Sequence, residues 1–167
     1  MFKKFLLLAS AGLMAIGPAV AAEKVKIGFV TTITTPAGVI GKDMVDAVKL
    51  AMEDIDGKMA GLDVELIVED DGFKPAIGKQ KTDKLVKQDK VQFVTGFIWS
   101  HVLLASQKSA LGAGKFLISS NAGPSQMAGK LCHKNFFSTS WQNDQTPMAM
   151  GEAVSYTHLT LPTRLRV

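Results

Sequence analysis

Short apolar runs and amphipathic segments alternate along residues 23–153. The apolar runs predict five strands, at 25–30, 62–68, 91–96, 116–119 and 136–139. Apolar residues at helical spacing predict helices at 44–55, 75–88 and 100–111, and the start of another near residue 144. Because strand and helix alternate throughout, we expect right-handed βαβ crossovers and a doubly wound parallel sheet. The predicted fold class is α/β.

The first 22 residues depart from this pattern. Lys3 and Lys4 precede an apolar run at 5–16 that is too short to span a bilayer, and Ala19-Val20-Ala21 supplies small residues before a cleavage point. This arrangement predicts a secretory signal peptide and a mature chain that starts near Glu23. An anchoring N-terminal helix is the alternative. No cysteine stands at the cleavage point, so the prediction is export to a periplasm, free in solution.

The last 14 residues also break the pattern. The string VSYTHLTLPT at 154–163 abandons the helical spacing that begins at 147–153, and it resembles the translation of a transposase adapter used in sequencing libraries. We therefore expect residues 154–167 to be a non-native tail and the native protein to continue past Ala153. A genuine strand followed by a proline loop is the alternative.

Charge and composition exclude several classes of protein. The chain is 47% hydrophobic and 20% charged, which excludes disorder and coiled coils. The formal charge of +4 arises at the chain ends, from Lys3, Lys4, Arg164 and Arg166; without them acidic and basic residues balance. Nucleic-acid binding therefore loses its main support. The single cysteine, Cys132, excludes a disulfide scaffold; it either finds a partner outside this chain or is a buried, unpaired thiol.

No motif for catalysis, cofactor binding or metal binding is complete. Gly112-Ala113-Gly114-Lys115 resembles a phosphate loop, but the spacing needs glycine where Ser109 stands, and no GxGxxG follows the first strand. There is no Cys/His cluster and no GxSxG elbow. The acidic run Glu69-Asp70-Asp71 is better explained as a solvated turn than as a metal site. We therefore expect no enzyme, no cofactor and no metal.

Loops at the carboxyl ends of the predicted strands are the candidate ligand site. The loops at 31–41, 97–100 and 120–125 are rich in Gly, Ser, Thr and Pro. Ligands of open α/β sheets bind at this edge, where N–H groups at helix N-termini attract a carboxylate or phosphate. In the alternative interpretation, Ser100 and Ser125 only cap their own helices.

Four segments resemble the first lobe of a known receptor family. They are VKIGFVTTITTPAGVIGKDMVDAVKLAMEDI, LDVELIVEDDGFKP, VTGFIWS and SSNAGPSQMAG…CHKNFFSTSWQNDQ. The likeness is to the periplasmic substrate-binding proteins of branched-chain amino acid ABC transporters, and it runs from about Lys24 to Ala153. The last segment is similar to a subgroup in which some members bind aromatic carboxylates or amides. The resemblance implies the first lobe of a two-lobed type I periplasmic binding protein.

The same resemblance implies a set of ligand contacts. Ser100 falls on the ligand-contacting serine of the family, and a second contact loop falls on Ala122, Gly123 and Ser125. Two positions depart from amino-acid binders: Ile40 stands where an aromatic residue is frequent, and Trp99 stands where smaller residues are common. Trp99 either stacks on a ligand ring or packs between the lobes. Contacts from the second lobe would lie after Ala153.

The function that the resemblance implies is reception of a solute for import. The receptor would bind an amino acid or a related small carboxylate or amide and deliver it to the membrane permease of an ABC transporter. A ligand-sensing domain of the same fold, which regulates instead of transporting, is the alternative.

Overall fold

The predicted strands and helices form one mostly parallel sheet in the computed structural model, which describes residues 24–156. The predicted signal peptide and residues 157–167 lie outside the described residues. The strands are β1 (Val25–Thr31), β2 (Lys58–Met59), β3 (Leu62–Asp70), β4 (Phe93–Gly96), β5 (Phe116–Ser119) and β6 (Phe136–Ser138). The helices are α1 (Gly38–Asp54), α2 (Pro75–Lys87), α3 (Ser100–Leu111), α4 (Ser125–Ala128) and α5 (Gln145–Val154).

The order of strands across the sheet is β2-β3-β1-β4-β5-β6. Parallel pairing joins β1 to β3 and to β4, with Val25 opposite Val64 and Ile27 opposite Phe93. The pairings of β4 with β5 and of β5 with β6 are parallel as well. From β1 the chain passes to β3 on one side of β1 and then crosses to β4 on the other side. This order confirms the doubly wound α/β prediction.

Two features of the fold were not predicted. The two-residue strand β2 pairs antiparallel with β3, because a tight turn with positive φ at Ala60 and Gly61 reverses the chain. Helix α1 begins at Gly38 rather than near residue 44. Its first buried positions are Gly38 and Gly41, which a search for apolar side chains passes over. A Cβ at Gly41 would overlap the carbonyl oxygen of Thr32, so glycine lets the helix start directly against the loop.

The main core lies between the sheet and the helices α2 and α3. Its members are buried apolar side chains of β1, β4, β5, α2, α3 and the segments that join them, including Val30, Leu85, Val94, Val102, Leu103 and Leu117. Each such side chain contributes about 1.5–3 kcal/mol relative to full exposure. Gly28 brings β1 close to the Leu85 side chain, where a Cβ would be crowded. This core fixes the strands whose ends carry the candidate site.

The opposite face of the sheet is only partly covered. There α1 and β3 line a groove that includes Met52, Leu66 and Val68. Farther along, the rings of β4, β5 and β6 form an aromatic row in which Phe116 and Phe137 are 41% and 51% exposed. Among the described residues, helices therefore cover the sheet completely only on the α2–α3 face.

The C-terminal part of the described chain packs loosely. Helix α5 has no buried residue, and it runs to Val154 before Ser155 and Tyr156 continue in a π-type turn. The backbone therefore does not mark the predicted boundary at Ala153, and the origin of residues 154–167 stays a prediction. Cys132 is free and exposed, so the prediction of a buried thiol is wrong. No helix within residues 24–156 is long and apolar enough to cross a membrane.

Candidate ligand-binding site

The candidate site lies at the edge of the sheet where the parallel strands end. Strands β1, β3, β4 and β5 all deliver their loops to this edge. The chain leaves β1 toward one side of the sheet and reaches β4 from the other, so the topological switch point lies between these two strands. In open α/β sheets a crevice forms at such a point, and ligands bind there.

The turn that follows β4 has a strained backbone. Gly96 and Phe97 have φ of 103° and 61°, and a Cβ at Gly96 would overlap the carbonyl oxygen of Val30. The Phe97 ring is fully buried, its N–H donates to Val30 O at 2.7 Å, and its carbonyl accepts the N–H of Ala122 at 3.0 Å. A left-handed residue other than glycine costs about 1–3 kcal/mol and persists only where its surroundings fix it. These contacts fix the start of α3.

Trp99 lies across the crevice between β1 and β4. It is half-buried, its Nε1–H donates to the Thr32 hydroxyl at 3.0 Å, and its ring meets Phe73 edge-on with centroids 4.7 Å apart. The indole is therefore held by loops of this lobe. Both predicted roles of Trp99, stacking on a ligand ring and packing between the lobes, stay predictions.

Ser100 is the first residue of α3 and does not act as its N-cap. The N-cap is Trp99, whose carbonyl accepts the N–H groups of Val102 and Leu103 at 3.1 and 3.0 Å. The Ser100 hydroxyl accepts instead from Nδ2 of Asn143 at 2.9 Å. The interpretation of Ser100 as a simple cap is therefore wrong. Its side chain and the first N–H groups of α3 face the loop edge of the sheet.

The second predicted contact loop follows β5. Ala122 is 2% exposed with its side chain in the core, its N–H is bonded to Phe97, and its carbonyl accepts the Ser119 hydroxyl. Gly123 accepts the N–H of Asn143 at 2.8 Å. The N–H of Ala122 is therefore already bonded within the protein, and contact between Ala122 and a ligand stays a prediction.

Two further predicted residues lie at the margins. Ser125 is the first residue of the four-residue helix α4, is half-buried and makes no side-chain cap bond. Ile40 lies in the first turn of α1 and is 45% exposed. Both are at the correct edge of the sheet, and their contact with ligand stays a prediction.

The loop after β6 was missed at the sequence level. Asn143 joins Ser100 to Gly123 through its side chain and its N–H, and the Trp141 carbonyl lies where a Cβ of Gly123 would be. The signal that could have found it is topological, because β6 was predicted and its carboxyl end reaches the same edge. A cavity of about 190 Å³ lies beside this loop, lined by Gly123 and Gln142 among others. Its volume is below the usual range for ligand pockets.

The acidic run at the end of β3 is not a solvated turn. Glu69 is 7% exposed and Asp71 is fully buried, so the predicted solvated turn is wrong. Asp70 accepts the N–H of Ile33 at 2.9 Å and the hydroxyl of Thr34. The run thus ties the end of β3 to the loop after β1. The described residues contain no group of three or more His, Cys, Asp or Glu that could hold a metal ion.

Two of these carboxyl groups have lowered pKa values. Burial by itself raises the pKa of Asp70, but hydrogen bonds from Thr34, Ile33 and Gly72 outweigh it and leave that pKa below its ordinary value. Burial likewise raises the pKa of Glu69, and hydrogen bonds and charge from Lys81 and Lys84 bring it below the ordinary value. Both groups therefore stabilise this edge in their charged form.

An anion at this edge would be held by N–H groups and hydroxyls. Both arginines of the chain, Arg164 and Arg166, lie outside the described residues. The groups that face this edge and can donate to a carboxylate include the N-terminus of α3, the Ser100 hydroxyl and the Asn143 amide. Helix N-termini and neutral donors bind carboxylates in this manner.

The fold is an open α/β sheet whose loops gather at one edge. A family model described as periplasmic binding protein matches residues 24–158, and the chain belongs to that family. The family consists of solute-binding proteins, and membership implies an extracytoplasmic location. A comparison with curated proteins found no match.

Solved structures similar to this chain are ABC transporter substrate-binding proteins. One from Sphaerobacter thermophilus is 27% identical with a TM-score of 0.72, covering 83% of this chain and 38% of that one. The branched-chain amino acid transporter substrate binding protein LivJ from Streptococcus pneumoniae, in complex with isoleucine, is 25% identical with a TM-score of 0.73 over 81% and 39%. A solute binding protein from R. palustris, in complex with benzoate, is 26% identical with a TM-score of 0.75 over 79% and 37%. This chain thus spans under two fifths of their lengths.

Proposed function

We propose that the protein containing this lobe is an extracytoplasmic solute receptor of an ABC importer. It binds an amino acid or a related small carboxylate or amide and delivers it to the membrane permease, without catalysing a reaction. In this proposal residues 1–22 are a signal peptide that directs the protein to the periplasm, and residues 23–153 are the first of two lobes.

The observation that carries the proposal is the convergence of Ser100, Asn143 and the N-terminus of α3. The amide of Asn143 bonds to the Ser100 hydroxyl at 2.9 Å, and its N–H bonds to Gly123. These donors lie beside the switch-point crevice, at the start of α3 and in the loop after β6. A small carboxylate can accept from them without a cationic side chain.

The family neighbours support the ligand class. LivJ from S. pneumoniae holds isoleucine, and the R. palustris protein holds benzoate. Both ligands are small carboxylates, and they differ in the apolar part attached to the carboxylate. We propose that this protein takes a ligand of that class.

Calorimetric titration of the complete protein with isoleucine and with benzoate tests the proposal. We expect saturable binding of at least one of them at one site per molecule. The same titration on a variant with Ser109→Ala, at the far end of α3, is a control that leaves the site intact. Absence of binding by both ligands in a folded protein would contradict the proposed ligand class.

A further inference from the structure

Side chains from three different loops form a connected chain at the crevice between β1 and β4. The indole Nε1–H of Trp99 donates to Thr32 Oγ1 at 3.0 Å, and the Thr32 hydroxyl donates to Asp71 Oδ1. The same carboxylate oxygen accepts the N–H of Phe73 at 2.8 Å. A buried carboxylate is thus linked through one hydroxyl to a half-buried indole.

Each bond in this chain can run in only one direction. An indole N–H only donates and a carboxylate only accepts, so the Thr32 hydroxyl must accept from Trp99 and donate to Asp71. Thr32 and Asp71 are both fully buried. Rotation of the indole would leave the Thr32 oxygen without its donor in a place that water does not reach, which is costly. The chain therefore fixes the plane of the indole.

Phe73 supports the indole from the outside. Its backbone is left-handed, with φ of 66°, and its N–H bond to Asp71 holds it there. Its ring packs edge-on against Trp99 at 4.7 Å and against His101 at 5.1 Å. Strained residues of this kind are found where the surroundings determine a functional conformation. At 46% exposure, the ring covers Trp99 at the rim of the site.

We propose that Asp71, Thr32 and Phe73 are positioning residues that hold Trp99 as a fixed wall of the ligand site, which selects flat, ring-bearing carboxylates over branched aliphatic ones. The inference rests on the proposed function. Trp99 directly precedes Ser100, so a ring attached to a carboxylate at the start of α3 lies within reach of the indole. An aromatic wall favours a stacked ring beyond simple area burial, and a wall already fixed loses no freedom on binding.

The fixed indole is tested first by fluorescence. The chain has two tryptophans, so a Trp141→Phe background leaves Trp99 as the only one. In that background we expect Thr32→Val to increase acrylamide quenching of Trp99 about twofold or more, because the indole loses its acceptor. Thr32→Ser keeps the hydroxyl and should retain the low quenching. Thr35→Val removes a nearby hydroxyl that takes no part in the bonds between Trp99, Thr32 and Asp71, and it should leave the quenching unchanged. Equal quenching in Thr32→Val and the parent would overturn the proposal.

Selectivity is tested by titrating the complete protein with benzoate and with isoleucine. We expect the wild type to prefer benzoate, and Thr32→Val to weaken benzoate about threefold to tenfold while isoleucine changes less than about twofold. Thr32→Ser should restore the preference. A wild type that prefers isoleucine, or a loss equal for both ligands, would reject the inference and leave the proposed function standing. Binding of neither ligand by a folded wild type would reject both.

Discussion

The loops that leave β1 and β4 and the segment that follows β6 reach the same edge of the sheet, but they are held very differently. Phe97, Thr32 and Asp71 are fully buried and bonded across strands. By contrast, α5 has no buried residue, and Met148 and Met150 are 70% and 65% exposed. The first region is tightly packed, whereas the second contributes Asn143 to the proposed site and continues into a helix with no buried residue.

This difference indicates which region of the chain contributes most to its stability. Hydrogen bonds between Trp99, Thr32 and Asp71, and the bond from Phe97 N–H to Val30 O, hold the crevice residues in place. The segment after β6 is joined to the rest of the chain through Asn143, which bonds to both Ser100 and Gly123, and through Thr139, whose N–H donates to Ser119 O at 3.0 Å. We therefore expect changes in the crevice region to affect folding, and matched changes in α5 to have little effect.

The largest contrast is expected between two glycines. Gly96→Ala places a Cβ against the Val30 carbonyl at a φ of 103°, and should lower the free energy of unfolding by about 3–4 kcal/mol. Gly151→Ala, in α5, meets no atom within 4 Å and should stabilise the chain by about 0.5–1 kcal/mol. Urea unfolding of both variants measures this difference. Similar losses for the two would show that α5 is as tightly packed as the crevice.

The next contrast concerns apolar side chains. Leu117 is fully buried between the sheet and α3, and Leu117→Ala should cost about 2–5 kcal/mol of unfolding free energy. Met148 is 70% exposed, and Met148→Ala should change stability by less than about 0.5 kcal/mol. Thermal unfolding of the pair tests this expectation. A large loss for Met148→Ala would mean that α5 buries it against a surface of the protein.

The alternation of strand and helix could be predicted because the spacing of apolar residues follows the periodic burial of strands and helices. The failures have physical reasons. The start of α1 was missed because glycines fill its buried positions, and β2 was missed because a two-residue strand has no period. Among the predicted site residues, Ser100 and Gly123 are joined through Asn143, which no local pattern marks. The acidic run looked solvated, because hydrogen bonds to a distant loop leave no trace in local spacing.

A third prediction concerns ligand affinity at the crevice. Ser100→Ala in the complete protein removes a hydroxyl from the proposed carboxylate site and should weaken binding by about 1–3 kcal/mol. Ser109→Ala, at the other end of the same helix, should leave affinity unchanged. Calorimetry with whichever of benzoate and isoleucine binds the wild type measures both. Unchanged affinity in Ser100→Ala would restrict this serine to holding Asn143.

The smallest expected effect is a pH dependence of stability caused by Asp70, at the end of β3. The pKa of Asp70 is lowered in the folded state, so its stabilisation is fully present above its unfolded pKa and is lost as the pH falls through the lower folded pKa. Asp70→Asn should therefore cost about 1–2 kcal/mol at neutral pH and progressively less in acid. Asp46→Asn, on the exposed face of α1, is the control. A cost that stays constant down to about pH 2 would contradict the assigned role of the charge, since an ordinary Asp titrates near 4.

The central claim is that this lobe supplies one side of a ligand site that a second lobe completes. The direct test titrates residues 23–153 and the complete protein side by side with benzoate and isoleucine. Affinity in a receptor that closes on its ligand depends on contacts from both sides. Loss of about 4 kcal/mol of contacts raises the dissociation constant about a thousandfold. We predict saturable binding by the complete protein and at least about a thousandfold weaker binding by the lobe, whereas comparable micromolar binding by both would contradict the account.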